Sequence, residues 1–177
     1  MSPIEYTLLA IGTLSLIVAS WRVSLKAGRY HGLYRLVSFE CILILVFLNW
    51  QRWFTDPFSA RQIISWILLT ASIVPASLGF RSLQLHGHAQ SQFENTRALV
   101  TSGIYRHIRH PMYLSLMLLG SGVCLKDPTG IAVGLGVVNF IALVATALRE
   151  EKEMIEKFGE EYVRYMAESK MFIPKLF

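Results

Sequence analysis

The sequence contains very little cysteine. Only Cys41 and Cys124 occur in 177 residues, and both lie within apolar runs. Two cysteines cannot build a cysteine metal site, so we expect both to be reduced packing residues. The sequence also has no strand followed by a Gly-rich turn and a helix, which excludes a soluble Rossmann unit. Internal repeats and low-complexity segments are absent.

Charged residues are scarce too, at 16% of the chain against 53% apolar residues. The apolar residues fall in blocks, which predicts an all-α integral membrane protein with about five transmembrane helices. Several blocks are shorter than the roughly 20 residues that cross a bilayer upright, but flanking aromatic and basic residues can extend them into the interface. The apolar runs are Ile4–Trp21, Leu36–Trp50, Ile63–Phe80, Met112–Leu125 and Thr129–Leu148.

The length suits a single membrane domain, residues 1–177. The first apolar run has no basic region before it and no small-residue cleavage site after it. We therefore expect a retained helix rather than a signal peptide. The predicted parts are three N-terminal spans in 1–80, a cytosolic loop in 81–111, a helical hairpin in 112–148 and a cytosolic cap in 149–177.

The hairpin and the cap are predicted from glycine, proline and helical periodicity. Pro128 and Gly130 suit a tight turn between the fourth and fifth runs. Gly130 and Gly134 have the spacing of small residues that allow tight packing inside a hairpin. After Leu148 the chain becomes amphipathic, which predicts an interfacial cap that Gly159 bends or ends.

The charge distribution predicts the orientation and the partners. The loop from Arg22 to Arg35 carries four basic residues and no acidic one, and the loop before Pro111 is also rich in arginine. The positive-inside rule then places the N-terminus outside and the C-terminus in the cytosol. Anionic headgroups explain the net charge of +5, so we expect a bilayer and no nucleic acid as partner. We expect a prokaryotic inner membrane, with the endoplasmic reticulum as the alternative; the oligomeric state is not predicted.

A basic cluster precedes the fourth apolar run, in the segment Tyr105–Tyr113. Arg109 and His110 can hold a carboxylate or a phosphate through charge-assisted hydrogen bonds, and the start of a helix at Pro111 adds exposed N–H groups. Ionisable groups at a membrane boundary are costly and usually mark a site. The alternative is a positive-inside flank that only anchors the helix.

A second charged cluster, Arg149-Glu-Glu-Lys-Glu153, ends the fifth run. The two clusters bracket the hairpin, so we expect them to meet at its open end. Glu150 or Glu151 could bind a cationic amine or deprotonate a nucleophile. Adjacent residues point about a hundred degrees apart on a helix, so we expect only one of the two to face the site. The alternative is a solvated first turn of the cap.

Aromatic residues follow in Phe158-Gly-x-x-Tyr162-x-x-Tyr165. They could contact an adenine ring or a sulfonium centre through cation–π interactions, or they could simply pack the cap onto the bundle. His86-Gly-His88 has the look of a metal pair, but no third ligand is near in the sequence. No metal site is therefore predicted.

The combined pattern resembles the isoprenylcysteine carboxyl methyltransferase family, which is itself similar to the phospholipid N-methyltransferases. The resemblance covers roughly residues 79–174. Ile104 stands where such proteins often carry proline, a mild departure. The motifs are Leu99-Val-Thr-Ser-Gly-Ile-Tyr-Arg-His-Ile-Arg-His-Pro-Met-Tyr113, then Arg149-Glu-Glu151, Phe158-Gly-x-x-Tyr-x-x-Tyr165 and Ile173-Pro174.

The resemblance implies an integral membrane enzyme that uses S-adenosyl-L-methionine, held by the C-terminal half. Its acceptor would be a lipid or a lipid-modified small molecule, such as an isoprenylcysteine-type carboxylate. The resemblance implies cofactor contacts at Tyr105, His110, Pro111, Tyr113 and Glu150. From the chemistry of the residues we add Glu151 and Tyr162 as cofactor-binding candidates, and we take Arg149, Glu150 and Arg109 as the catalytic candidates.

Three alternatives stay open at this point. A phospholipid N-methyltransferase would need Glu150 or Glu151 to remove a proton, whereas a carboxylate acceptor needs no base. A membrane reductase of the sterol or steroid type would use NADPH, but such enzymes resemble Arg-His-Pro-Asn-Tyr, and Met112 replaces that asparagine here. A non-enzymatic membrane scaffold would have no use for the clustered Arg, His and Glu residues.

Overall fold

The described chain is helical. A computed structural model describes residues 2–24, 26, 31–86 and 99–174, and no β-sheet forms among them. Short 3₁₀ turns occupy Trp50–Arg52 and Gly103–Arg106. The predicted all-α class is confirmed. The helices are α1 (Pro3–Val23), α2 (His31–Leu48), α3 (Ala60–His86), α4 (Pro111–Cys124), α5 (Gly130–Phe158) and α6 (Glu160–Glu168).

Four of the described helices, α1, α2, α3 and α5, are long and apolar enough to cross a membrane. The fourth predicted span, α4, is apolar but has only 14 residues, which is short for a bilayer. Helix α1 buries only Ser20 and packs on α2, so most of its surface is left for lipid. The chain is a multi-pass membrane protein.

Local sequence signals set the ends of the helices around the hairpin. Pro111 is the first residue of α4, where its missing N–H costs nothing. The Thr129 side chain accepts a hydrogen bond from the Ala132 N–H at 3.3 Å and caps α5. Gly159, with φ of 58°, separates α5 from α6, as its position predicted.

Two helices run further than the apolar runs predicted. Helix α5 continues past Leu148 to Phe158, because no helix breaker occurs before Gly159. Helix α3 likewise continues past Phe80 to His86 and accommodates Pro75 in its interior. The backbone of His86 is therefore helical, whereas His88 and the rest of residues 87–98 lie outside the described part.

Small residues do allow close packing inside the bundle, but at other glycines than predicted. A Cβ on Gly120 would lie 2.3 Å from Asn139 Nδ2, and the Asn139 amide accepts a hydrogen bond from Ser38 Oγ at 2.7 Å. This contact joins α2, α4 and α5. A Cβ on Gly130 or Gly134 would meet nothing within 4 Å, so the prediction of tight packing there is wrong.

The α4–α5 turn holds a lysine that contributes no surface charge. Lys126 is fully buried, and its Nζ lies 3.7 Å from the centroid of the Trp66 ring and 3.0 Å from Gln62 Oε1. The Arg61 guanidinium donates to the Lys126 carbonyl at 2.6 Å. The opposite end of the bundle, where α2 and α4 begin and α3 and α5 end, carries the clustered Arg, His and Glu residues.

Candidate active site

The C-terminal segment fixes the backbone of the Arg-His-Pro element. The Arg109 N–H donates to the Lys170 carbonyl at 2.7 Å, and the His110 N–H donates to the Met171 carbonyl at 3.1 Å. Lys170 N–H in turn donates to the His107 carbonyl at 3.1 Å. The side chain of Phe172 is buried beside His110. Residues 170–172 therefore form a strap across the site, within the part of the chain that the sequence predicted as a cap.

Glu151 holds the Arg109 and His110 side chains of this element. Its Oε1 accepts a hydrogen bond from Arg109 Nε at 2.6 Å and lies 3.2 Å from His110 Nε2. The Arg109 Nη1 also donates to the Ser169 carbonyl at 2.6 Å. The Arg109 and Glu151 side chains are only 9% and 7% exposed. Glu151 therefore holds Arg109 and His110, which form part of the wall of the site, in position.

Glu150 approaches the same element from the other side. Its Oε2 accepts a hydrogen bond from the Tyr113 hydroxyl at 2.6 Å and lies 3.8 Å from His110 Nδ1. The two adjacent carboxylates thus straddle the His110 ring. Of the two, only Glu150 lines the cavity described below, as expected for neighbouring positions that point about a hundred degrees apart on a helix.

Tyrosines from three elements surround these carboxylates. The Tyr165 hydroxyl donates to the Tyr105 carbonyl at 2.6 Å and thereby ties α6 to the turn before α4. Burial raises the pKa of Tyr165 to about 12. Burial, and after it the negative charge of Glu150, raises the pKa of Tyr105 well above its usual value. Burial is also the main cause of the raised pKa of Tyr162. These hydroxyls are therefore neutral at physiological pH.

A cavity of about 540 Å³ opens beside these groups. Its walls are mainly apolar and come from helices α2 to α6 and from the segment before α4. This size lies within the usual range of ligand pockets, about 300–1,000 Å³. The predicted site residues that line it are Tyr105, Arg109, His110, Pro111, Tyr113, Glu150 and Tyr162.

Arg149 does not join this group. Its side chain is 47% exposed, and its Nε lies 3.8 Å from Glu153 Oε1 on the next turn of α5. Glu153 Oε2 lies 2.7 Å from Nδ1 of the buried His31. Arg149 therefore lies outside the cavity, and a catalytic role for it has no support in this geometry. The rotation of α5 directs Glu150 and Glu151 toward the Arg-His-Pro element, so the side chain of Arg149 points away from the cavity.

The sequence missed the cavity wall that the first helices contribute. Arg35 and Phe39 reach the cavity from α2, and Phe80 and Leu83 reach it from α3. The sequence places Arg35 in the first loop, because the apolar run begins at Leu36. The helix begins at His31, so this arginine is part of the bundle.

A second hollow, of about 420 Å³, lies on the outer surface between α3 and α4. It includes the groove beside Ser72 and Ile73 and shares part of its lining with the cavity. The shared residues are Ala76, Phe80, Met112 and Ser115. The cavity therefore borders the lipid-facing side of the bundle at this point.

The described residues fit the cofactor that the motifs imply. The Glu150 carboxylate suits an ammonium group, and the tyrosine and apolar walls suit an adenine ring. Among the described residues, no group of three or more His, Cys, Asp or Glu side chains could hold a metal ion.

Comparison with known proteins decides the family. The sequence model of the phospholipid methyltransferase family matches residues 60–161, more than half of the chain. The chain belongs to the phospholipid methyltransferase family. The matched region runs from the start of α3 into α6 and contains both the Arg-His-Pro element and the Glu150–Glu151 pair.

Relatives within this family carry more specific names. Protein-S-isoprenylcysteine O-methyltransferase B of Arabidopsis thaliana is 30% identical over 80% of this chain and 72% of its own. The human protein-S-isoprenylcysteine O-methyltransferase is 37% identical over 43% of this chain but only 27% of its own. Methanethiol S-methyltransferase 2 of Bradyrhizobium diazoefficiens is 25% identical over 89% of this chain and 64% of its own.

These relatives confirm the resemblance to the isoprenylcysteine methyltransferases. This member of the phospholipid methyltransferase family is a membrane methyltransferase. The reductase and scaffold alternatives find no support among these relatives.

Proposed function

We propose that the protein transfers a methyl group from S-adenosyl-L-methionine to a lipid-like acceptor that enters the cavity from the bilayer. The observation that carries this proposal is the Glu150 carboxylate in the wall of a mainly apolar cavity, hydrogen-bonded to Tyr113 at 2.6 Å. A cofactor with a cationic amino group needs such a carboxylate, and a lipid tail needs the apolar remainder.

The cofactor half of the cavity lies at the Arg-His-Pro end. When bound there, S-adenosyl-L-methionine would supply an activated methyl group on a sulfonium. Glu150 would bind its ammonium, and Tyr105 and Tyr162 would contact its adenine and sulfonium. His110, Pro111 and Tyr113 would complete the wall, which Glu151 holds in place. The neutral tyrosines and the strap around Phe172 exclude water from the site.

The acceptor half lies toward α3 and α4. The hollow between these helices shares Ala76, Phe80, Met112 and Ser115 with the cavity, so a lipid tail could lie there while its head reaches the Arg-His-Pro end. Holding both reactants in line supplies most of the rate enhancement, because a sulfonium is already a strong methyl donor.

We favour a carboxylate acceptor of the isoprenylcysteine type. A carboxylate oxygen bonds to the methyl carbon without losing a proton, so it needs no general base. The cavity-facing carboxylate, Glu150, is already engaged with Tyr113. A protonated phospholipid amine would need that carboxylate as a base, which makes N-methylation the second candidate. The relative named methanethiol S-methyltransferase adds a thiol to the acceptors that merit testing.

The cavity end of the bundle is proposed to face the cytosol, with the N-terminus outside. Basic residues flank the helices at this end: Arg22 at the end of α1, Arg81 near the end of α3 and Arg106 before α4. At the far end, Arg52 and Arg61 both lie beside Asp127, and Lys126 is buried. The asymmetry of surface charge follows the positive-inside rule.

Methyl transfer tests the proposal directly. The purified protein in mixed micelles is incubated with methyl-labelled S-adenosyl-L-methionine and either N-acetyl-S-farnesylcysteine, phosphatidylethanolamine or an alkanethiol. Label that partitions with the acceptor and is released as methanol by base identifies a methyl ester, whereas N-methyl and S-methyl products are stable to base. We expect base-labile label, lost in Glu150→Gln. A folded protein that labels none of the three would contradict the proposal.

A further inference from the structure

The end of the bundle opposite the cavity exposes three large aromatic side chains on one short segment. This segment, residues 49–59, joins α2 to α3, and we name it the far-end turn. Its Trp50, Phe54 and Phe58 side chains are 60%, 77% and 90% exposed. Large apolar side chains that are exposed together usually mark a surface that another molecule covers. The far-end turn is therefore a candidate interaction surface.

Helix α4 is too short to carry the chain from the cavity end to the far surface of a bilayer. Its 14 residues span about 21 Å, whereas the hydrocarbon core of a bilayer is about 30 Å thick. The helix starts at Pro111, beside the charged groups of the cavity end. Its last turn therefore lies within the membrane, below the opposite boundary.

The end of α4 is built for such a position. The Ser65 hydroxyl donates to the Gly122 carbonyl at 2.6 Å. The Asn49 amide donates to the Val123 carbonyl at 2.9 Å, and both donor side chains are buried. The last carbonyls of a helix lack partners within the helix, and in the hydrocarbon region only protein groups can supply them. The far-end turn and the start of α3 thus replace water at the end of α4.

The three basic residues of this end each have a partner within the protein. Arg52 Nε lies 3.2 Å from Asp127 Oδ2, and Arg61 Nη1 lies 3.8 Å from Asp127 Oδ1. The Nζ of the buried Lys126 lies 3.7 Å from the centroid of the Trp66 ring. Cations held in this way are poorly placed to bind anionic headgroups as well. The far-end turn therefore offers its surroundings aromatic side chains rather than positive charge.

The aromatic surface continues into the lipid-facing side of α3. The first two turns of this helix expose Ile63, Ile64 and Ile67. The Phe54 ring packs against Trp66 of the same helix, with 5.9 Å between the centroids. Continuity with a lipid-facing surface indicates that lipid, and not water, covers the far-end turn.

One acidic residue indicates the depth of the turn. Asp56 is exposed and lies between Phe54 and Phe58 in the sequence. A carboxylate is costly in the hydrocarbon core, whereas aromatic rings are enriched at the level of the headgroups. The position that suits all three side chains is the boundary between headgroups and hydrocarbon.

We propose that the far-end turn inserts Trp50, Phe54 and Phe58 into the headgroup boundary of the leaflet opposite the cavity and anchors the bundle there. The partner is the lipid surface itself. Insertion does not require anionic lipid, because the basic residues of this end are engaged within the protein. The anchoring is independent of the proposed methyl transfer, since it needs only a membrane protein with this fold.

Fluorescence quenching of single bimane-labelled cysteines measures the depth of the turn. The full chain, with Cys41→Ala and Cys124→Ala, carries Phe54→Cys or Phe58→Cys and is reconstituted into phosphatidylcholine vesicles with or without phosphatidylglycerol. The quenchers are iodide on both sides of the membrane and phosphatidylcholine with a nitroxide either near the headgroup or deep in the acyl chain. Thermal unfolding midpoints show that each labelled protein is folded.

Two control positions bracket the expected depth. Ile67→Cys lies on the lipid-facing side of α3, and Glu156→Cys is exposed on α5 at the cavity end. We expect the shallow nitroxide to quench the labels at 54 and 58 more than the deep one does, with the reverse order at 67. Iodide should quench the labels at 54 and 58 about threefold less than the label at 156. Phosphatidylglycerol should leave these depths unchanged.

Three results would overturn the proposal. Labels at 54 and 58 that iodide reaches as readily as the label at 156 would place the turn in water. Labels that neither iodide nor either nitroxide reaches would show that protein, such as a second copy of the chain, covers the surface. Insertion only in the presence of phosphatidylglycerol would show that the basic residues bind headgroups after all.

Discussion

The Glu151 carboxylate and the Arg109 guanidinium form a buried ion pair, 2.6 Å between Oε1 and Nε, that joins α5 to the segment before α4. Because Arg109 also bonds to the Ser169 carbonyl, the same pair secures the C-terminal strap. The motif residues of the candidate site therefore divide into two roles. Glu151 and Arg109 build the wall, whereas Glu150 and Tyr113 present their polar groups to the cavity.

Replacement of Glu151 by Gln is expected to destabilise the protein strongly. The change leaves the Arg109 charge buried without its carboxylate, which typically costs about 3–5 kcal/mol. Thermal unfolding in detergent measures the loss. Glu156→Gln, at an exposed position on the same helix, is the control and should change the unfolding midpoint little. Equal midpoints for the two variants would contradict the wall role of Glu151.

Gly120→Ala is expected to destabilise the bundle, whereas Gly134→Ala is not. The new methyl at position 120 would overlap Asn139 Nδ2, 2.3 Å away, and would disturb the bond from Ser38. Overpacking of this kind costs about 1–3 kcal/mol. Gly134 has open space around it, so alanine there is neutral or adds up to about 1 kcal/mol of helix propensity. Two variants with the same unfolding free energy would refute the close contact.

The stability contribution of Tyr165 is expected to fall at alkaline pH. Burial raises its pKa from 10.0 to about 12, so the unfolded chain loses this proton before the folded chain does. The contribution of Tyr165 to the free energy of unfolding is fully present below pH 10 and is lost as the pH rises toward 12. The difference in unfolding midpoint between the parent and Tyr165→Phe should therefore be constant to about pH 9.5. Above that pH, the midpoint of the parent should fall relative to that of Tyr165→Phe. A constant difference up to pH 11.5 would contradict the burial.

Much of the fold follows from the distribution of apolar residues. Runs of apolar residues located all five helices of the membrane region, and Pro128, Gly130 and Gly159 located the hairpin turn and the end of α5. Helix ends were less predictable, because polar residues such as Arg35 and Glu153 continue a helix wherever their side chains find partners. A hydropathy pattern contains no information about such side-chain partners, so it does not predict where these helices end.

The site was predictable where its residues flank the same helical hairpin, and not where contacts depend on how other segments pack against that hairpin. The encounter of the Arg-His-Pro element with the glutamate pair followed from the hairpin topology. The pairing of Lys170 with Arg109 depends on the path of the C-terminal strap, which no periodicity encodes. The approach of Arg35 depends on the packing of α2 on α5, which apolar patterns leave undetermined.

The central claim is that Glu150 holds a cationic cofactor in the cavity, and calorimetric titration with S-adenosylhomocysteine tests it most directly. The folded parent in detergent should bind with a micromolar dissociation constant. Glu150→Gln should weaken binding by about tenfold or more while its unfolding midpoint stays close to the parent value, because Glu150 is not part of the buried pair. Absence of binding by a folded parent, or unchanged affinity in Glu150→Gln, would contradict the account.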